Sequence, residues 1–436
     1  MKFGYGKTFL LGFGFLGISI IWPIFNQFIP IFLQAGNPVF ERQLLAEGRQ
    51  VPSIVGFGLA PSLALFILTW DNIMNMFIAP WIGARSDRTW NRFGRRKPYI
   101  LLGAPIALLA FVFVPFAQTV LAIATFIFIT NLGMALFRSP TVALLGDLFD
   151  APERSKANGI INFMGGVGAL LAYFGGGILY NQIGRAAPFI AGAIATGIAL
   201  AVVLVFVKES PSRASEESNQ QGYILANIKV VFSSPDRSAL FVLLSILFWF
   251  MGFSAFDAGL SSYAVFTLGM EAGTASIYAG TMTIFFLLFA MPAGFLGTRW
   301  GRKRIISIGL VGLTVSAVLG FLLVRNGISL VLVLLFSGAF WAMINVNSLP
   351  LVYDHGDEKQ IGAYTGLYYF SSQLASVLGP SLLGLTVDAL GNQYRWLWIF
   401  AAVFMLSAFV VLRGVHGREA TTGLAGQAPA GREVNP

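Results

Sequence analysis

The chain has 436 residues, of which 56% are hydrophobic and 11% charged, with a formal net charge of +9 and a mean hydropathy of +0.75. Because a water-soluble fold of this composition would expose far too much apolar surface, the sequence predicts an integral membrane protein. It contains no cysteine and two histidines, which excludes disulfides and thiolate sites and argues against a histidine-built metal centre.

Twelve apolar stretches match the roughly 20 residues that a bilayer-spanning helix needs. They lie near residues 8–34, 54–83, 98–117, 119–149, 155–181, 186–207, 238–267, 272–298, 305–323, 327–353, 360–389 and 394–412. The first stretch is too long for a signal-peptide core and lacks a small-residue cleavage site, so we expect it to remain in the mature chain. The pattern predicts an all-α membrane protein with twelve transmembrane helices.

Three longer polar segments lie between or after these helices. Residues 35–53 form the longest loop on the outer side, for which a short amphipathic helix is expected. Residues 208–237 begin KESPSRASEESNQQG and have the composition of a cytoplasmic linker. Residues 414–436 are small and polar, so we expect a disordered tail. The predicted domains are therefore two six-helix bundles, at 1–207 and 238–413.

The distribution of basic residues predicts the orientation of the chain. With twelve spans, 22 of the 28 lysines and arginines fall on the side that both termini share, five fall opposite, and Arg138 lies within a span. By the positive-inside rule both termini are cytoplasmic, in a cell membrane. The basic excess is then explained by topology and by anionic lipid headgroups, and no nucleic-acid partner is expected.

An internal repeat relates the two halves of the chain. Two pairs lie 211 residues apart, Gly83 with Gly294 and Arg88 with Arg299, and two lie 207 apart, Gly94 with Gly301 and Asp147 with Asp354. Four extra residues in the first of the two corresponding loops account for the change of offset. Parallel six-helix halves favour alternating access by rocking, with the substrate site near mid-membrane between them.

The loop GARSDRTWNRFGRRKP at 83–98 resembles the signature loop of the major facilitator superfamily, although its second copy has Thr298 in place of the aspartate. The segments SDRTWNRFGRRKPYI and LLGDL resemble the sucrose:proton symporters and the related glycoside-pentoside-hexuronide:cation symporters. WDNIMN at 70–75 resembles the cation motif of the melibiose-type members, in which two acids stand four residues apart. Here Asn75 replaces the second acid. The resemblance implies a sugar transporter driven by a cation.

Asp71 is the main candidate for cation coupling. It lies about sixteen residues into the second predicted span, roughly 24 Å along the helix. An ionised carboxylate there costs about 2.5 to 3.5 kcal/mol on insertion scales, so it should be protonated or partnered. A structural acid paired with Arg138 is the alternative. The counterpart of Asp71 in the repeat is Met282, so the architecture does not require the acid, and we favour a role in proton coupling.

Arg138 is predicted to act with Asp71. Its counterpart in the repeat is Asn345, so the fold does not demand this charge either. A guanidinium at mid-depth could hold sugar hydroxyls with its fork of donors or set the protonation of Asp71. A static ion pair is an equally open interpretation.

Amides, acids and tryptophans at similar depth are candidates for substrate binding. Amides and acids can bond the hydroxyls of a polyol, and indole faces can pack on a sugar ring. Helix packing accounts for each of them alone. The predicted set is Asn75, Trp22, Asn26, Gln27, Asp257, Trp249, Trp341, Asn345, Asn347 and Gln373.

A second set is predicted to form a cytoplasmic gate, because ion pairs made in one state and lost in the other bias a conformational equilibrium. Solvated loop arginines of the positive-inside rule explain most of its basic members without further role. Asp87, the lone acid among them, resembles the gate aspartate of the superfamily. The set is Gly83, Asp87, Arg88, Gly94, Arg95, Asp147, Arg299 and Asp354.

The sequence therefore predicts a secondary transporter, with proton-coupled symport of a sugar or glycoside, such as a sucrose- or maltose-like disaccharide or glucose. Sodium coupling and a drug or lipid transporter of the same superfamily are the alternatives, and a channel or membrane sensor is less favoured. The glycine-rich run at 165–177 lacks the Lys-Ser/Thr of a phosphate-binding loop, and no enzymatic motif is found. No cofactor or metal is expected, and a monomer suffices.

Overall fold

The computed structural model describes residues 4–149, 151–209, 237–354 and 361–415. Within these ranges, twelve helices are long and apolar enough to cross a membrane, and we number them spans 1 to 12 in chain order. They are Tyr5–Gln34, Pro61–Arg88, Lys97–Phe116, Val120–Leu148, Lys156–Gln182, Ala187–Phe206, Ser238–Phe266, Ala272–Trp300, Arg302–Leu323, Gly327–Asp354, Tyr364–Ala389 and Trp396–Arg413. The predicted all-α membrane fold is confirmed, and most span ends agree within three residues.

The start of span 2 is the boundary that the sequence predicted least well, because the preceding loop is apolar. Span 2 begins at Pro61 rather than near 54. The backbone N–H groups of Phe57, Gly58 and Leu59 donate to carbonyls near the end of span 1, at 2.8 to 3.1 Å. Phe57 and Leu59 pack against the hydrophobic core without forming a helix, so hydropathy alone mistakes this segment for part of the span. The predicted short helix of the same loop is present at Pro38–Ala46.

Span 2 is broken at Thr69, between helical segments Pro61–Leu68 and Trp70–Arg88. The Thr69 hydroxyl donates to the carbonyl of Phe66 at 2.8 Å and satisfies one end of the broken segment. Asp71 therefore lies in the first turn of the second segment. It is ten residues from Pro61, about 15 Å along the span, which corrects the depth of 24 Å expected from sequence. This places Asp71 near the middle of a core about 30 Å thick.

Spans 1 to 6, the first half, pack mainly on one another, as do spans 7 to 12, the second half. Close packing depends on small residues, and an added Cβ at Gly133 of span 4 would lie 2.5 Å from the Ala107 nitrogen of span 3. Residues 210–236 of the predicted linker and 416–436 of the predicted tail lie outside the described residues.

We call the face on which span 1 begins and span 12 ends the basic face, and the other the opposite face. On the opposite face the halves are joined by a buried network centred on Gln34 of span 1. The Tyr394 hydroxyl donates to Gln34 Oε1 at 2.6 Å, and Gln34 Nε2 donates to Ser262 Oγ at 3.0 Å. Burial raises the pKa of Tyr394, so the phenol stays protonated and remains a donor.

The short helix Pro38–Ala46 extends this closure. Phe40 stacks on Phe266 of the second half with ring centres 4.7 Å apart, and Gln43 donates to the carbonyl of Gly391 at 2.7 Å. Beside them, Arg49 donates to the carbonyl of Leu268 at 2.9 Å. The loop between spans 1 and 2 thus covers the second half and closes the opposite face.

Toward the basic face the halves separate. Segment Pro61–Leu68 of span 2 packs extensively on span 11, whereas the longer segment Trp70–Arg88 touches it much less. In span 5, Asn181 donates to Thr274 of span 8 at 3.1 Å near the opposite face. Near the basic face, an added Cβ at Gly159 of span 5 would meet nothing within 4 Å. The cleft between the halves therefore opens toward the basic face.

This asymmetry can be tested by cross-linking, since the natural chain has no cysteine. The pair Asn181→Cys and Thr274→Cys is expected to form a disulfide on mild oxidation, because the two side chains touch in the closed part of the cleft. The pair Gly159→Cys and Gly294→Cys joins the same two spans near the basic face and is the matched control. Equal cross-linking of both pairs, measured by electrophoretic mobility after an engineered loop cleavage, would contradict the described geometry.

Candidate functional site

A group of polar side chains lies at mid-depth around Asp71. Its carboxylate accepts a hydrogen bond from Asn72 Nδ2 at 2.8 Å, and Arg138 of span 4 is close enough to attract it electrostatically. Among the described side chains, the two do not form a direct ion pair. The Arg138 guanidinium instead lies 5.7 Å from the centre of the Trp22 ring, in a cation–π arrangement. Opposite charges are thus held near each other without being locked together.

The second half contributes another acid to the same region. Asn26 of span 1 donates to Asp257 Oδ2 of span 7 at 3.2 Å, a hydrogen bond that joins the two halves. Asp257 interacts electrostatically with Tyr173 of span 5, and Arg138 does so with Tyr369 of span 11. The polar group is therefore built from both halves, as a site between rocking bundles requires.

Tyr173 and Tyr369 were not predicted from the sequence. Tyr173 lies in a π-helical turn, Leu171–Gly175, which interrupts span 5. Such turns occur frequently at functional sites, but they have no clear sequence signature. Tyr369 is 55% exposed although it lies within a span, which is consistent with a position on an open cleft.

Several buried polar atoms near this group have no hydrogen-bond partner within the described part of the chain. They are Trp22 Nε1, Gln373 Oε1 and both amide atoms of Gln27 and Asn131. An unsatisfied buried donor or acceptor costs about 1 to 3 kcal/mol. Asn131 was not predicted as a site residue. It lies seven residues before Arg138, hence on the same face of span 4, and this spacing could have identified it from the sequence. Asn75, one turn after Asp71, is buried on the same face of span 2.

Four predicted substrate residues lie in or beside the core of the second half. Trp249 is fully buried, and Trp341 stacks on Phe253 with ring centres 3.7 Å apart. Asn347 Nδ2 donates to the carbonyl of Ala293 at 3.1 Å and so joins spans 10 and 8. The structure shows packing contacts for these three, and Asn345 has no described side-chain hydrogen bond. Among the described residues, no hydrogen bond, ion pair or ring contact joins any of these four to Asp71 or Arg138. Their roles in substrate binding stay predictions.

Three predicted gate residues of the first half, Asp87, Arg95 and Asp147, form a network with Arg96 at the basic face. Asp147 at the end of span 4 accepts hydrogen bonds from Arg95 Nε at 3.2 Å and from Arg96 Nε at 2.9 Å. Arg96 also pairs with Asp87 at the end of span 2. Burial lowers the pKa of Arg96, but the negative charges of Asp147 and Asp87 raise it by more. The pKa therefore lies above its ordinary value, and Arg96 stays protonated. Gly83 lies beside Ser139 of span 4.

The second half repeats this pairing with a residue that the sequence analysis missed. Arg302, not Arg299, pairs with Asp354. Arg302 lies 207 residues after Arg95, so the repeat offset already contained the signal. Arg88 and Arg299 are exposed and form no ion pair among the described residues.

Glu209, at the end of the first half, binds the loop between spans 2 and 3. Its carboxylate accepts from the backbone N–H groups of Arg95 at 2.7 Å, Arg96 at 3.0 Å and Lys97 at 3.0 Å. A carboxylate at a helix N-terminus is favoured by unpaired N–H groups and by the helix dipole. Gly94, with φ of 108°, makes room for it, because an added Cβ would lie 2.6 Å from the Glu209 carboxyl carbon.

Comparison with known proteins gives related transporters. The chain is 25% identical to the class B tetracycline resistance protein of Escherichia coli over 359 residues, which cover 78% of this chain and 82% of that protein. It is 22% identical to the isoprimeverose transporter of Lactiplantibacillus pentosus over 415 residues, with coverage of 82% and 81%. It is 24% identical to the sucrose transport protein SUC3 of Arabidopsis thaliana over 147 residues, with coverage of 29% and 25%.

The crystal structure of the nucleoside transporter NupG has the same fold, with a TM-score of 0.69 and 15% sequence identity, over 96% of this chain and all of that one. The family model of the Major Facilitator Superfamily matches residues 8–283 and 266–432. These findings confirm the predicted superfamily and a transporter rather than an enzyme. The chain is a multi-pass membrane protein that belongs to the Major Facilitator Superfamily of secondary transporters.

Proposed function

We propose that this protein is a proton-coupled symporter of a neutral sugar or glycoside. The observation that carries the proposal is the arrangement of Asp71 and Arg138, which attract each other at mid-depth without a direct ion pair. An acid in this position can take up a proton when the cleft faces one solution and lose it when the cleft faces the other. The positive charge of Arg138 then determines how readily the proton leaves.

The chemistry of the surrounding side chains favours a polyhydroxylated substrate. Sugar hydroxyls both donate and accept hydrogen bonds, and the site offers carboxylates, amides, phenols and a guanidinium. Because Asn26 and Asp257 come from different halves, a substrate hydroxyl that bonded to both would contact the two halves at once. The names of two relatives, an isoprimeverose transporter and a sucrose transport protein, agree with this substrate class.

Protons are favoured over sodium because Asn75 stands where the melibiose-type motif has a second acid. Sodium is a hard cation that prefers several oxygen ligands, and an amide removes one negative charge from the site. If the side-chain oxygen atoms of Asp71, Asn72 and Asn75 together bind Na⁺, uptake should instead be driven by a sodium gradient.

Export of an apolar drug is a second candidate, supported by the similarity to the class B tetracycline resistance protein over most of both chains. An exporter would exchange a proton for its substrate rather than carry both in one direction. A proteoliposome screen of mono- and disaccharides, nucleosides and tetracycline, with imposed pH or sodium gradients of either sign, separates these functions by substrate and by direction.

We further propose that the basic face is cytoplasmic and that the described conformation opens inward. The positive-inside rule supports the orientation. In this arrangement the networks of Asp147 and Asp354 lie at the cytoplasmic face, each within one half, and Glu209 fixes the loop that carries Arg95 and Arg96. The two halves would rock as the predicted bundles 1–207 and 238–413, in a cell membrane.

Asp71→Asn is expected to reduce proton-driven substrate accumulation to a concentration ratio of about one. The amide cannot carry a proton through the cycle, although exchange of labelled for unlabelled substrate should continue because the rest of the site is intact. Both activities can be measured in proteoliposomes with an imposed pH gradient.

Glu271→Gln is the matched control, since it removes an exposed carboxylate at the opposite face, outside the site. It should accumulate substrate as the natural protein does. If Asp71→Asn accumulates substrate as steeply as this control, Asp71 is not the coupling residue.

Asp147→Asn is expected to lower the free energy of unfolding by about 3 kcal/mol, because it leaves the buried charges of Arg95 and Arg96 without their shared acid. Thermal unfolding in detergent measures this. Glu47→Gln, which breaks an exposed ion pair with Arg49, should change stability by about 1 kcal/mol or less. Equal stability of the two variants would show that the Asp147 network contributes little.

A further inference from the structure

A long apolar groove lies on the membrane-facing surface of the second half, away from the cleft. It has a volume of about 820 Å³, within the range of roughly 300 to 1,000 Å³ of pockets that enclose small molecules. Spans 9, 10 and 12 line it. Its floor includes Ser316, which is 6% exposed, and its walls include Val315 and Phe336, which are 51% and 61% exposed.

The groove follows the depth of the membrane. Its span 9 residues extend from Arg304 to Leu323, which is about 28 Å of helix and nearly the whole hydrocarbon core. Gly312 deepens it near the middle, because an added Cβ would collide with the Phe340 ring behind it. The shape is that of a channel for an extended chain rather than a pocket for a compact molecule.

Charge is confined to the end of the groove at the basic face. Arg304 lines this end, and Phe409 of span 12 lines it from the other side. The Arg413 guanidinium lies 5.6 Å from the centre of the Phe409 ring. Neither Arg304 nor Arg413 has an acidic partner among the residues that the structure describes. Arg304 therefore lines one mouth of an otherwise apolar groove, and Arg413 lies next to that mouth, near the Phe409 ring.

We propose that this groove binds one anionic phospholipid of the leaflet at the basic face. The phosphate and headgroup lie between Arg304 and Arg413, and an acyl chain lies along span 9 past Val311 toward Gly312. Guanidinium groups suit phosphate because they donate two parallel hydrogen bonds. A soluble phosphorylated ligand would leave the apolar length of the groove unused, and a neutral lipid would leave the two charges unpaired.

The proposal does not depend on what the central site transports. It is tested with purified full-length protein in a non-ionic detergent, by native mass spectrometry during titration with a phosphatidylglycerol or with a phosphatidylcholine that has the same acyl chains. Phosphatidylglycerol is expected to bind one copy preferentially. Glycerol 3-phosphate, which has the charge without the chains, is not expected to displace it.

Arg304→Gln should weaken the preference for phosphatidylglycerol about fivefold, and Arg304→Gln with Arg413→Gln about thirtyfold, from the usual contribution of a basic residue near an anionic surface. Arg85→Gln is the matched control, because Arg85 lies over Trp81 at the basic end of span 2 in the first half, at 5.4 Å from the ring centre. It should leave the preference unchanged.

Val315→Trp, which fills the groove, should reduce binding of both lipids, whereas Val205→Trp on the exposed surface of span 6 should not. Equal binding of the two lipids to the natural protein would overturn the proposal in favour of a neutral lipid. An unchanged preference in the double arginine variant, or displacement by glycerol 3-phosphate, would overturn it as well.

Discussion

The attraction between the Asp71 carboxylate and the Arg138 guanidinium is the interaction on which the proposed mechanism depends. Each charge alone costs about 2.5 to 3.5 kcal/mol at the centre of a membrane helix on insertion scales. Their proximity offsets part of this cost, and no direct ion pair joins these two described side chains. The proposed change in the proton occupancy of Asp71 therefore does not require an ion pair to break first.

Comparison of the two repeated halves distinguishes charged residues that both halves contain from charged residues that only one half contains. The ion pair of Arg95 with Asp147 recurs in the second half as that of Arg302 with Asp354, as expected for gate elements that both bundles use. Asp71, by contrast, corresponds to Met282 in the repeat. The repeated ion pair thus stands at the basic face, whereas Asp71, which is not repeated, stands at mid-depth.

Much of the fold could be predicted because hydropathy reports directly on lipid exposure. Most span ends, the loop helix Pro38–Ala46 and the superfamily follow from local patterns. Features set by contacts between distant segments could not be predicted in the same way. The π-helical turn at Tyr173, whose carbonyl accepts a hydrogen bond from Ser276, and the binding of Glu209 to the loop at 95–97 each involve a partner far along the chain. Depth alone likewise did not distinguish Trp22, beside Arg138, from Trp249, in the core.

In the proposed mechanism, substrate and proton cross the membrane together in one direction. The most direct measurement is the external pH of a weakly buffered proteoliposome suspension when a transported sugar is added without any imposed gradient. The account predicts that the external pH rises as sugar enters, by an amount proportional to the sugar taken up. Sugar entry with no change of external pH, or with a fall, would contradict it.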